Sequence, residues 1–258
     1  MCHRRKHVFI QIEITTLCNF RCIYCASPKS QGRSMSMALF DALLQKLPIG
    51  QHVVSLQGEG EPLVHPKFFS LAAKVWQAGH IPYVITNGSL AKSRNLPTVF
   101  PMIGISLDTV DADEAERVGR RQLSRVLSNV EHIAAVAGPD RVSIHTVDMG
   151  QSLESLRKYL GRLGIKRHIV QPLQTKADYR RNYSIPISIP ATSGRPRPCR
   201  YITQPNVRFF NIDGIGMPCA YIKDANEFQS IQVMQEEFAV GKVPVVCAGC
   251  REIEWASQ

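Results

Sequence analysis

Two sets of cysteines carry the chemistry that this chain's residue types can perform. The first is Cys18-Asn19-Phe20-Arg21-Cys22-Ile23-Tyr24-Cys25, a C-x3-C-x2-C spacing. Cubane iron–sulfur clusters take four thiolates, one for each iron. Three thiolates on one loop leave the fourth iron open to bind a ligand and pass it an electron. Structural zinc sites instead pair short C-x2-C knuckles, which the unequal spacing here does not match. Three unrelated buried thiols, or zinc with a remote fourth ligand, are the alternatives.

The second set lies near the other end of the chain. Cys199 and Cys219 frame a C-x14-G-x4-C element, and Cys247-Ala248-Gly249-Cys250 follows. Asp213-Gly214 is expected to turn a hairpin that brings Cys199 and Cys219 together, while the C-x2-C pair offers two ligands from one turn. Such a set holds either zinc or an iron–sulfur cluster. The spacing by itself leans slightly to zinc.

The elements that must position these thiols follow from periodicity. Strand-like segments at 8–14, 53–57, 83–86, 103–107, 142–147 and 167–173 alternate with helical patterns. Met37, Phe40, Leu43, Leu44 and Leu47 mark one helical face; Phe68, Leu71, Ala72 and Val75 mark another. Leu123, Val126, Leu127, Val130, Ile133 and Ala134 give the clearest helix, ended by Gly138-Pro139. Six β-then-α units predict an α/β fold, a partial (β/α)6 barrel with a parallel sheet. Reactive groups in such folds sit on the loops after the strands, here 15–33, 58–66, 87–96 and 108–121. The barrel is expected over residues 1–175 and a small cysteine-rich extension over 176–258. Prolines at 186, 190, 196, 198 and 205 break up the extension, which is read as too short to build its own apolar core, with a metal centre as its staple.

At these residues the sequence resembles the radical S-adenosylmethionine (SAM) superfamily, whose signature is C-x3-C-x2-C with an aromatic residue, here Tyr24, before the last cysteine. Gly60-Glu61-Pro62 looks like the family's Gly-Gly-Glu-Pro motif, with Glu59 standing in place of the first glycine. Thr86-Asn87 and Ser106-Leu107-Asp108 look like the family's contacts to the ribose and carboxylate of SAM. The resemblance implies SAM as cofactor, held by Tyr24, Gly60, Glu61, Pro62, Thr86, Asn87, Ser106 and Asp108, and a [4Fe–4S] cluster on Cys18, Cys22 and Cys25. It implies that one electron splits a C–S bond of SAM and that the resulting deoxyadenosyl radical takes a hydrogen atom from substrate. The C-x14-G-x4-C element resembles the SPASM/Twitch extension in its shortened form, which implies a second, auxiliary [4Fe–4S] cluster on Cys199, Cys219, Cys247 and Cys250.

With seven cysteines so assigned, only Cys2 is spare, and a radical epimerase needs a free thiol to return a hydrogen atom. Two-electron oxidation (dehydrogenation) of a small polar molecule is therefore the expected reaction, making the chain an oxidoreductase. A peptide- or protein-modifying maturase, an epimerase and a zinc-binding module are the competing readings. Gln171, Gln174 and Lys176, at the end of the sixth strand, are the candidate substrate contacts, with Arg180 and Arg181 beyond. His145 and Asp148 follow from the fifth strand, and His145 is read first as a satisfied histidine within the sheet.

The formal charge of +10 is read as a solvated basic surface, or as a face for an anionic substrate or an acidic electron donor such as flavodoxin or ferredoxin. Aromatic residues do not interleave with the basic ones, which disfavours nucleic acid. No signal peptide and no apolar stretch near the roughly 18 residues needed to span a bilayer is visible, so a cytoplasmic protein with no membrane partner is expected.

Overall fold

The computed structural model describes residues 8–26, 32–187, 189, 193–203 and 207–256. Cys2 lies outside them.

Six strands, β1 (Phe9–Ile12), β2 (Val53–Ser55), β3 (Ile81–Thr86), β4 (Met102–Ser106), β5 (Val142–Asp148) and β6 (Arg167–Pro172), run parallel and in sequential order. Helical crossovers connect them: α1 (Met37–Gln45), α2 (Phe68–Gln77), α3 (Ala112–Arg117), α4 (Leu123–Ala137) and α5 (Glu154–Arg162). This is the mixed α/β, partial-barrel arrangement expected from the six repeating units. Ser36 starts α1 by accepting the Leu39 amide at 3.2 Å, and Asp111 starts α3 by accepting the Glu114 amide at 2.8 Å.

The core lies between the sheet and these helices. Ile10, Ile12, Val54, Leu56, Val84, Ile103, Ile105 and Ile144 meet Phe40, Leu43, Phe68, Leu71, Val75, Val130, Ile133 and Leu160. Full burial of each such side chain contributes about 1.5–3 kcal/mol. It fixes the strand ends, and thus the loops after them, against one another.

Beyond β6 come α6 (Ala177–Asn182), β7 (Arg195–Arg197), α7 (Arg200–Thr203), β8 (Val207–Phe210), β9 (Gly216–Met217), α8 (Ile231–Ala239) and β10 (Glu254–Ala256). β8 does not stand apart: it pairs parallel with β1, from Phe9↔Val207 to Ile12↔Phe210. β9 turns back antiparallel to it, completing an eight-stranded sheet. The hairpin turn falls at Asn211–Gly214, where the Asn211 side chain accepts the amides of Asp213 and Ile215 at 3.1 and 2.9 Å. β7 and β10 form a separate antiparallel pair.

One expectation is corrected. The C-terminal segment does build an apolar cluster of its own: Ile202, Phe209, Met217, Ile222, Met234, Phe238 and Ile253 pack with Cys199, Cys219 and Cys247. α8, with Met234 and Phe238 one turn apart, supplies its lid. The prolines hide the pattern because the cluster draws one or two residues from each of many short pieces. Among the described residues no helix is long and apolar enough to cross a membrane.

Candidate active site

The first cysteine loop leaves β1 and is held from three sides. At its base, Gly60 lies so close that a Cβ there would come within 2.5 Å of the carbonyl oxygens of Thr15 and Leu17, and the Glu61 amide donates to Leu17 O at 2.8 Å. On a second side, the Ile23 amide donates to Val118 O at 3.2 Å, and a Cβ on Gly119 (φ +79) would collide with Arg21 O. On the third, Asn19 donates to Ser89 Oγ at 2.8 Å and accepts from the Asn87 amide nitrogen at 2.9 Å, tying the loop to the end of β3. Cys18 is exposed, Cys22 and Cys25 are half-buried, and none is in a disulfide. Burial first raises the thiol pKa of Cys18 and of Cys22, and the Arg120 guanidinium opposes the rise in both.

Tyr24 is fixed by a buried polar knot. Its hydroxyl donates to Asp108 Oδ2 and accepts from Arg120 Nε at 2.6 Å. Arg120 Nε lies 2.5 Å from Asp108 Oδ2, and Arg120 Nη1 donates to Ser106 O at 3.0 Å. Asp108 Oδ1 accepts the Val147 amide at 2.8 Å. The ends of β4 and β5 and the first cysteine loop therefore converge on one carboxylate. Desolvation pushes the Tyr24 hydroxyl well above its usual pKa, keeping it a donor.

Glu61 is turned inward. It is 3% exposed and accepts from Thr86 Oγ1 at 2.6 Å, the Asn87 amide at 2.7 Å and the Leu63 amide at 3.1 Å. Burial raises its pKa, with these donors opposing. Thr86, Asn87 and Pro62 are buried around it, so this carboxylate ties the end of β2 to the end of β3. Glu59 faces the mouth instead, where Tyr179 donates to it at 3.2 Å and Lys223 pairs with it at 3.0 Å.

The second set comes together as four thiols of one apolar cluster: Cys199, Cys219 and Cys247 are buried and Cys250 is half-buried. Burial, then the neighbouring thiols, pushes Cys247 up to about 12. Burial also pushes Cys250 up to about 12, with Cys219 and Cys199 adding to the rise. Iron cations reverse this balance, because thiols crowded together ionise most readily around positive charge. The donor set thus suits an iron–sulfur group. Among the described residues no three His, Cys, Asp or Glu side chains are arranged to hold a single metal ion.

A short segment after β6, in which the sequence offered Gln174 and Lys176 as substrate contacts with Arg180 and Arg181 beyond, bridges both sets. Thr175 Oγ1 donates to Gly249 O at 2.7 Å and the Ala177 amide donates to Ala248 O at 2.9 Å, pinning the Cys247–Cys250 knuckle. From α6, Asn182 donates to Ala26 O at 2.9 Å and the Ser184 amide donates to Ile23 O at 2.8 Å, reaching the first loop. Lys176 points into this bridge and not into a cavity: it is 2% exposed, paired with Asp178 at 2.5 Å, and it lowers the Cys247 pKa. Arg180 Nε bonds Thr175 O at 3.0 Å, and Arg181 is exposed.

A cavity of about 190 Å³ is lined by Tyr24 of the first cysteine loop together with Gln171, Gln174, Tyr183, Arg251 and Glu252 among others. Gln171 and Gln174 thus sit together in it. His145 sits apart from it, bonded through Nε2 to Tyr83 and Ser143 at 3.2 Å each, as a satisfied histidine in the sheet. Asp148 caps the turn at Gly150 at 2.9 Å. Arg120, Asn19 and Tyr183 escaped sequence reasoning because no local spacing distinguishes them from other polar residues.

The Radical SAM superfamily model matches residues 12–163, more than half of the chain. The chain belongs to the radical SAM superfamily. It is 28% identical over 157 residues to GTP 3',8-cyclase of Ectopseudomonas mendocina, covering 55% of this chain and 46% of that protein. It is likewise 28% identical over 153 residues to the probable GTP 3',8-cyclase of Methanothermobacter marburgensis, covering 56% and 50%. The chain spans about half the length of these relatives. Its fold is similar to that of Streptococcus suis SuiB bound to S-adenosylmethionine, with a TM-score of 0.67 at 14% identity, over 93% of this chain and 67% of that one.

Proposed function

We propose that this chain is a radical SAM oxidoreductase of the SPASM/Twitch type, with one auxiliary [4Fe–4S] cluster, that removes two electrons from a small polar molecule. The observation that carries this reading is the 190 Å³ cavity lined both by Tyr24 of the first cysteine loop and by Arg251 and Glu252, which follow Cys250. A substrate there touches residues next to both thiol sets. Four thiols gathered in one apolar cluster supply the four ligands of a cubane, one for each iron.

When bound, SAM and its cluster supply a radical able to take hydrogen from an unactivated C–H bond, and the auxiliary cluster supplies an acceptor for the electron left behind. The chain's own residues do the rest. Asp108 and Arg120 hold Tyr24 rigid against the cavity. Gln171 and Gln174 contact the substrate, the tyrosines exclude water, and Glu252 is the carboxylate placed to take the proton released on oxidation. Lys176 acts beside Cys247, where its ammonium offsets thiolate charge. The basic surface suits an acidic reductant such as a flavodoxin or ferredoxin.

The test is anaerobic incubation with SAM, dithionite and deuterated small polar substrates such as hydroxy acids and amino sugars. Deuterium arriving in 5'-deoxyadenosine together with a product two electrons more oxidised supports the reading. Deuterium transfer with a redox-neutral product would sink the oxidation, and an epimerised or cross-linked product would favour the competing chemistries.

A further inference from the structure

Resting on the reading of the 190 Å³ cavity as the substrate site, one side chain in it restricts what the substrate can be. Gln174 is 6% exposed. Its Oε1 accepts three backbone amides: Thr175 at 2.9 Å, Lys176 at 3.2 Å and Arg251 at 3.1 Å. A flipped amide would set two N–H bonds against three donors, so the orientation is fixed. The Nε2 group is then a buried donor that no atom among the described residues receives. A buried amide left unpaired is costly, and native proteins rarely keep one without a partner from outside the chain. The same Oε1 bonds join the end of β6 to the residue after Cys250, so this donor cannot swing away without loosening the cysteine knuckle.

We propose that Gln174 Nε2 is a preset donor for a substrate oxygen, and that the substrate carries a carboxylate at that end. Arg251 supplies the charge. It lines the same cavity, and Nη1 donates to Leu173 O, which anchors the guanidinium while leaving its other N–H groups for a ligand. Glu252, which lines the same small cavity, disfavours a second anionic end and suits a hydroxyl or ammonium there. The substrate class is therefore a small carboxylic acid bearing a hydroxyl or amino group, with its carboxylate on Gln174 and Arg251.

Three trifluoromethyl probes test this by fluorine NMR on the intact iron-loaded protein: trifluoroacetate, trifluoroacetamide and 3,3,3-trifluoropropylammonium. Gln174→Glu keeps an oxygen for the three backbone amides and replaces only the donor. The wild type is expected to bind trifluoroacetate best, Gln174→Glu to bind it at least tenfold more weakly, and that variant to gain affinity for the ammonium probe. Arg251→Gln keeps its backbone amide; it is expected to weaken trifluoroacetate about tenfold and leave trifluoroacetamide unchanged, which secures the test should Gln174→Glu fail to fold. Equal binding of trifluoroacetate by wild type and both variants, or no binding of either oxygen-bearing probe by wild type, overturns the proposal. Absence of deoxyadenosine from wild-type incubations would instead defeat the radical reaction while leaving the probe selectivity standing.

Discussion

At the residue scale, Asp108 and Gly119 hold the first cysteine loop in different ways, and each can be tested by itself. Asp108 Oδ2 takes a hydrogen bond from Tyr24 and pairs with Arg120 at 2.5 Å in a site 1% exposed on the aspartate side. Asp108→Asn leaves a buried guanidinium uncompensated, which costs about 3 kcal/mol. Chemical unfolding is expected to register that loss, and Tyr24 is expected to lose its fixed orientation. Gly119→Ala places a methyl against Arg21 O and a side chain at φ +79. A stability loss of about 2 kcal/mol is expected, together with iron loss confined to the first cluster; unchanged iron would show that the loop tolerates displacement. His145 gives a pH signature. Burial, and then His168, lowers its pKa from 6.5 to about 4. The folded state therefore favours the neutral imidazole, so its contribution is present above about pH 6.5 and fades as pH falls towards 4. Between pH 7 and pH 5 the wild type is expected to lose about 2 kcal/mol that His145→Gln retains, read from denaturant midpoints at the two pH values.

At the element scale, what could be read in the sequence divides by distance along the chain. The three cysteines, the helical faces of α2 and α4, and the Asp213-Gly214 turn are local patterns, and each stands where its spacing puts it. Contacts that depend on two distant segments meeting were not legible. Arg120 reaches Tyr24, 96 residues away, and Thr175 reaches Gly249, 74 residues away. The placement of β8 beside β1 depends on such a meeting as well, since nothing within residues 207–210 names its partner. Glu61 shows the same limit within a motif: its type and position suggest a ligand contact, whereas its three donors tie β2 to β3. The bridge after β6 follows from this scale. Thr175→Val removes the hydroxyl that donates to Gly249 O, a loss of about 1 kcal/mol. It is expected to make the proposed second iron–sulfur group more labile to chelators than the first. Equal chelation rates in wild type and variant would show that the knuckle is held without Thr175.

At the scale of the whole molecule, the chain joins a superfamily barrel to a C-terminal segment that shares its sheet through β8 and adds a second apolar cluster containing four thiols. That union brings Tyr24 of the first cysteine loop and Arg251, next to Cys250, to the lining of one cavity, and the proposed oxidation depends on both cysteine sets being iron centres. The most direct measurement is the iron and acid-labile sulfide content of anaerobically reconstituted protein, compared with Cys247→Ala/Cys250→Ala. Wild type is expected to hold about eight iron and eight sulfide per chain, falling to about four of each in the double variant. About four of each in both proteins, or zinc bound at the second set of thiols, would overturn the two-cluster reading.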